Sequence, residues 1–158
     1  MDRIYAPWRA AYLNKTQPDE CLFCGALKTT EDERTGIIHR GTNCFVIVNA
    51  YPYSNGHVMV VCNRHVDKFH ELTGDEASEL IGLVARCEKA ILDDYKPGGI
   101  NIGANLGRSA GAGVVGHLHV HLVPRWHGDT NFITAVGETR VISEDLADTY
   151  KRFKTYFP

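Results

Sequence analysis

The sequence predicts an α+β fold: one domain over residues 1–158, built on an antiparallel sheet of about five strands. One long helix should lie between strand sets and a second should close the C-terminus. Three observations predict this. Short aliphatic and β-branched runs recur along the chain, a stretch beginning at Thr73 keeps a 3.6-residue period, and His117-Leu118-His119-Val120-His121 alternates with a period of two. A chain of 158 residues, 44% hydrophobic and 23% charged, is long and apolar enough to bury a substantial core.

Residues 1–33 form an N-terminal segment that holds Cys21-Leu22-Phe23-Cys24, preceded by a short apolar-aromatic stretch over 6–13 expected to make one or two helical turns. Ile37-Ile38, Cys44-Phe45-Val46-Ile47-Val48 and Val58-Met59-Val60-Val61 read as successive strands. The long helix is marked by a capping box of Thr73 and Glu76, followed by Ala77, Leu80, Ile81, Val84, Ile91 and Leu92 on one face. Lys96-Pro97-Gly98-Gly99 should stop it. Strands follow over 100–104 and 118–123. Residues 124–158 form a C-terminal extension in which Ser143 should cap the last helix, with Glu144 and Asp145 in its first turn.

Composition excludes several classes. A net charge of −2 gives no bulk attraction to nucleic acid or to a membrane surface, so an anionic substrate must be met by local groups. No apolar run approaches spanning length, and Met1-Asp2-Arg3-Ile4-Tyr5-Ala6-Pro7 lacks the apolar core of a secretory signal. Of five cysteines, Cys44, Cys62 and Cys87 sit in apolar contexts suited to reduced, buried thiols. The expectation is a cytoplasmic protein.

The histidine run carries the chemistry. Pleating sends residues i, i+2 and i+4 to one face, about 6–7 Å apart, with Leu118, Val120 and Leu122 directed to the core. Three imidazoles in register make poor structure, because each brings polar nitrogens that need partners. They make good chemistry: neutral imidazole is a nucleophile and imidazolium an acid and phosphate ligand near neutral pH. A cupin-type metal pair is disfavoured, since no Glu follows until Glu138. Gly111-Ala112-Gly113-Val114-Val115-Gly116 fits G-x-G-x-x-G but runs into the histidine strand rather than opening a helix, which excludes a dinucleotide fold. Its use is as a loop whose backbone N–H groups can approach phosphate oxygens. Cys21 and Cys24, taken alone, are ambiguous between zinc and redox chemistry.

The triad resembles the histidine triad (HIT) superfamily of nucleotide hydrolases and nucleotidyl transferases. The likeness extends to Asn49, eight residues before His57, to Asn63-Arg64-His65-Val66 and to Gly99-Ile100-Asn101-Ile102-Gly103-Ala104-Asn105. Pro124-Arg125-Trp126, Gly128-Asp129 and Asn131-Phe132 are similar to a bacterial and archaeal branch of diadenosine tetraphosphate phosphorylase-like proteins.

That resemblance implies a homodimer with a continuous sheet, and a nucleotidyl group transferred from an adenine dinucleotide through His119. His121 would polarise the phosphate and His57 would complete its pocket. Asn49 would hold the ribose, unless it serves only as a strand-end turn former. The phosphate loop would use Gly111 and Gly113. Gly113 and Val114 stand where phosphoramidase relatives carry Gln and Ser, leaving Asn105 or Ser109 as substitutes. The resemblance also implies structural zinc on Cys21, Cys24, His65 and His117. Arg125 and Trp126 are expected near a longer polyphosphate, a second base or a dimer contact, and His39, His70 and His127 at the surface or as minor pocket contacts. A phosphoramidase or adenylyl-sulfate-type hydrolase, and a non-catalytic nucleotide-binding partner protein, are the alternative functions.

Overall fold

The structure, a computed structural model, describes residues 21–157. The expected helical turns over 6–13 lie outside the described residues. Two short helices come first, α1 (Leu22–Lys28) and α2 (Asp32–Thr35), where the sequence reading had only a segment around the two cysteines. They lead into β1 (Ile37–Arg40), β2 (Cys44–Val48) and β3 (Val58–Cys62). Helix α3 (Gly74–Ala90) follows, then β4 (Gly99–Gly103), β5 (His119–Arg125), α4 (Phe132–Gly137) and α5 (Leu146–Lys154). The five strands form one antiparallel sheet, as the sequence implies, and their order is β1-β2-β3-β5-β4.

Every residue of β2 and β3 is buried, so the sheet is covered on both faces. Alternation divides the strands cleanly. Cys44, Val46 and Val48, Val58, Val60 and Cys62, and Val120 and Leu122 face α3 and α5 in the larger core. Phe45, Ile47, Met59 and Val61 face the other way and pack with Ile37 and Phe23 of α1. The histidines of β5 share that second face. Its neighbours are β3 and β4, with His119 opposite Val61 and His121 opposite both Met59 and Gly103.

Helix α3 begins at the expected capping box: the Glu76 N–H donates to Thr73 Oγ1 and the Thr73 N–H to Glu76 Oε2. Its buried stripe is Leu80, Leu83, Val84, Cys87 and Ala90. Ile81 and Leu92, expected on that stripe, are 64% and 47% exposed. The cause at Leu92 is a π-helical turn over Ile91–Tyr95, which widens the helix and shifts its phase before Lys96 ends it at φ 46°. The histidine strand also starts later than expected, at His119, so His117 sits just before it rather than within it.

The C-terminal helix is real but differently capped. Asp145, not Ser143, is the N-cap, its side chain accepting the Ala147 N–H. Ser143 instead makes a long-range pair with Asn55. No helix among the described residues is long and apolar enough to cross a membrane.

Candidate active site

His119 is fixed by its own strand. Its Nδ1–H donates to the His117 carbonyl at 2.7 Å, which leaves the lone pair on Nε2, the nitrogen across the ring. The residue is 4% exposed, and burial lowers its pKa, against the carbonyl bond that raises it. A neutral imidazole with a defined lone pair is what nucleophilic attack on phosphorus requires.

His121 and His57 form a directed chain with the loop before β3. The Tyr53 N–H donates to His57 Nδ1 at 3.0 Å, so the proton of that ring resides on Nε2. Nε2 lies 3.0 Å from His121 Nδ1 and donates to it. The proton of His121 is therefore on Nε2, free to donate to a ligand oxygen. The Tyr53 ring lies 4.7 Å from the His57 ring and stacks over His121 at 5.9 Å. Burial is the main cause that pushes the pKa of His57 down to about 3 and that of His121 to about 4, with neighbouring imidazoles adding to it. Both rings rest neutral at physiological pH.

Asn49 lies at the end of β2 beside this chain. Its Oδ1 accepts the Tyr51 N–H at 2.9 Å, the turn-forming contact, and this fixes the amide so that Nδ2 sits 3.3 Å from His57 Nε2. Both nitrogens are donors there, so Nδ2 turns one N–H to Met59 Sδ at 3.6 Å and keeps a second hydrogen for another acceptor.

The glycine-rich loop between β4 and β5 is ordered more than its composition suggests. Gly107 at φ 82° and Gly111 at φ 90° bracket a single 3-10 turn, Arg108–Ala110, closed by the Gly111 N–H to the Arg108 carbonyl. Asn105, Gly111 and Gly113 are half-buried and Ser109 is exposed. Val114 packs into the core that contains Phe23.

Behind the triad, the four expected metal ligands converge. The ligand atoms of Cys21, Cys24, His65 and His117 all lie within 4.8 Å of one another. His117 Nδ1 is 3.3 Å from Cys21 Sγ and 3.6 Å from Cys24 Sγ, and His65 Nδ1 is 3.3 Å from Cys24 Sγ. Zinc bonds of about 2.3 Å to sulfur and about 2.0–2.1 Å to nitrogen put tetrahedral S and N ligands about 3.5 Å apart, so the donor set fits. The His117 Nε2–H donates to the Cys62 carbonyl at 2.7 Å, which turns the Nδ1 lone pair toward the thiols.

Two side chains that sequence reasoning passed over shape this site. Phe23, inside the Cys21–Cys24 pair and 1% exposed, has its ring centroid 5.3 Å from His117 and 5.2 Å from His119. Tyr53 contributes both ring and N–H, and its place four residues before His57 was the available signal. Arg125, expected to offer positive charge to a polyphosphate, is instead engaged by both carboxylate oxygens of Asp129 and by Asn101 Oδ1. Asp129 is four residues on from Arg125, close enough to neutralise it. Trp126 lines a cleft of about 310 Å³ with Tyr53, Asn131, Thr134 and Arg140. His70 and His127 are exposed, whereas His39 packs half-buried against Phe157.

The HIT domain family model matches residues 30–128. A protein of Mycobacterium tuberculosis named AP-4-A phosphorylase is 38% identical over 98% of this chain and 84% of its own length. An asymmetrical bis(5'-nucleosyl)-tetraphosphatase of Schizosaccharomyces pombe is 32% identical over 59% of this chain and 50% of that protein. Among solved structures, a zinc-bound histidine triad family protein of Mycobacterium smegmatis superposes with a TM-score of 0.68 at 22% identity, covering 87% of this chain and 92% of that one. At that identity the likeness speaks for the fold alone.

Proposed function

This chain belongs to the HIT domain family, and from that premise we propose that it is a nucleotide phosphorylase or hydrolase acting on an adenine dinucleotide such as diadenosine tetraphosphate. The observation that carries this reading is the tautomer of His119: Nδ1–H is committed to the His117 carbonyl, so Nε2 is the attacking atom. His119 Nε2 forms a bond to the α-phosphorus as the P–O bond to the leaving nucleoside triphosphate breaks. Phosphate oxygen then attacks the same phosphorus and displaces His119, giving ADP; water in that role gives AMP. His121 donates its Nε2–H to the phosphate oxygens, where charge builds in both steps. The backbone N–H of Gly113, with Asn105 or Ser109, holds the remaining oxygens, Gly111 shaping the loop through the turn that takes its own N–H, and Asn49 presents its amide to the ribose. The cleft beside Tyr53 and Trp126 has room for part of the leaving group.

Zinc belongs to Cys21, Cys24, His65 and His117, a closed set of four that leaves no open position. It would supply folding energy and hold His117. The chemistry falls to His119, His121 and His57. The exposed outer edge of β4, with Ile102 46% exposed, supports pairing of two chains into a longer sheet.

A panel of dinucleoside polyphosphates and nucleoside phosphoramidates, incubated with and without phosphate and resolved by mass, tests the reading. Release of ADP and ATP from diadenosine tetraphosphate supports it. Turnover of phosphoramidates alone would move the protein to the phosphoramidase alternative. Tight AMP binding with no turnover of any compound would make it a nucleotide-binding partner protein.

A further inference from the structure

Residues 140–144, which follow the segment matched to the family, hold the loop that sets the His57 tautomer. Four consecutive loop residues are engaged from outside. Arg140 Nη1 donates to the Tyr53 carbonyl at 2.6 Å. Ser54 Oγ, buried, donates to the Pro124 carbonyl at 2.7 Å. Asn55 and Ser143 bind each other twice, Asn55 Nδ2 to Ser143 Oγ at 2.8 Å and the Ser143 N–H to Asn55 Oδ1 at 3.2 Å. Gly56, at φ 72°, lies so close to the Tyr95 ring that an added Cβ would sit 2.9 Å from it, and the Tyr95 hydroxyl donates to Glu144 Oε2 at 2.8 Å.

Three of these four anchors thus reach the segment 140–144, and their common result is the position of one backbone N–H. Among the described residues that group, on Tyr53, is the sole donor to His57 Nδ1. We propose that residues 140–144 act as a positioning strap: through Arg140 on Tyr53 and Ser143 on Asn55, they hold the Tyr53 N–H on His57 and thereby direct the Nε2–H of His121 at the substrate. Without the strap the loop can turn the Tyr53 peptide away. His57 then has no donor on Nδ1, its proton is free to move to that nitrogen, and His57 Nε2 competes for a proton from His121 Nδ1. The His121 Nε2–H that meets the phosphate is lost from part of the population. Arg140 and Ser143 touch no reacting atom; they act through Tyr53 and His57. The inference rests on the reading of His119 and His121 as the reactive pair.

The test uses full-length protein labelled with ¹⁵N-histidine. Imidazole nitrogen shifts report the tautomer of each ring without any turnover. Wild type should show His57 protonated on Nε2 and unprotonated on Nδ1. In Asn55→Ala combined with Arg140→Ala, a second His57 or His121 tautomer should appear, with kcat on diadenosine tetraphosphate falling about 10-fold, the scale of a weakened acid–base contact. Ser143→Thr keeps the hydroxyl and should keep both properties. A double variant whose His57 retains the wild-type tautomer overturns the proposal whatever its rate. So does a tautomer change that leaves kcat untouched. If wild type turns over no dinucleotide, the functional reading fails separately, and the nitrogen shifts still decide whether the strap sets the tautomer.

Discussion

His57 donates its Nε2–H to Nδ1 of His121 across 3.0 Å, and this one bond links the loop before β3 to the strand that carries the nucleophile. Burial keeps both imidazoles neutral in a site built to receive phosphate. Their folded-state pKa values, about 3 and about 4, lie below the usual 6.5. Below pH 6.5 the unfolded chain takes up these protons while the folded chain does not. Stability contributed by this pair is complete above about pH 6.5 and is lost as pH falls toward 4 and then 3, at up to about 1.4 kcal/mol per pH unit for each ring. Urea unfolding at pH 7.5 and 5 should show the decline. His57→Gln should flatten the curve, and an unchanged slope in that variant would remove His57 as its source.

His119→Ala should lower turnover by on the order of 10⁴-fold or more, because no other ring on that face has its lone pair directed as this one does. Fold and AMP affinity should survive. Addition of free imidazole to His119→Gly should return part of the rate. Near wild-type turnover in His119→Ala would assign the nucleophile elsewhere.

Purified full-length protein should hold about one zinc per chain, read by atomic emission on samples never exposed to chelator. Cys24→Ser should lower Tm more than it lowers kcat, since a closed site contributes folding energy rather than chemistry. Protein with no zinc and unchanged Tm after chelation would leave the two cysteines as plain thiols.

Phosphate should accelerate breakdown of diadenosine tetraphosphate and move product from AMP to ADP. Arg125 should have no part in this choice. With its guanidinium shared between Asp129 and Asn101, Arg125→Ala should leave the phosphate dependence within about twofold and act on stability by about 1 kcal/mol, the scale of a partly exposed pair. A large rise in the phosphate concentration needed by Arg125→Ala would return that side chain to the acceptor site.

Much of this arrangement could be read from the chain because its signals are local. Alternation around His119 fixes which of its neighbours share a face, the unbroken apolar run Cys44–Val48 marks a strand buried on both faces, and Thr73 with Glu76 names the start of α3. The four metal-site residues were legible only through family likeness, since Cys21 and His117 are far apart in sequence. What escaped was decided by tertiary contact or by backbone. Ser143 and Asp145 are both N-cap residue types; the choice fell to Asp145 because Asn55, 88 residues away, takes Ser143. Ile81 follows the helical period and still faces outward. Tyr53 acts partly through an N–H that every residue but proline carries, so its spacing from His57 was the one hint the sequence offered.

The carbonyl that aims the nucleophile is that of His117, the residue whose ring reaches the cysteines. An ion grasping His117 would therefore stiffen the peptide against which His119 is set, and Phe23 packs on both rings from the cysteine side. Occupancy of the two sites would then be thermodynamically linked: whatever factor the metal added to nucleotide affinity, bound nucleotide would return to metal affinity. A cell short of zinc would lose more than a strut. It would hold a population of chains with slackened triads, protected from metal loss in proportion to the dinucleotide around them.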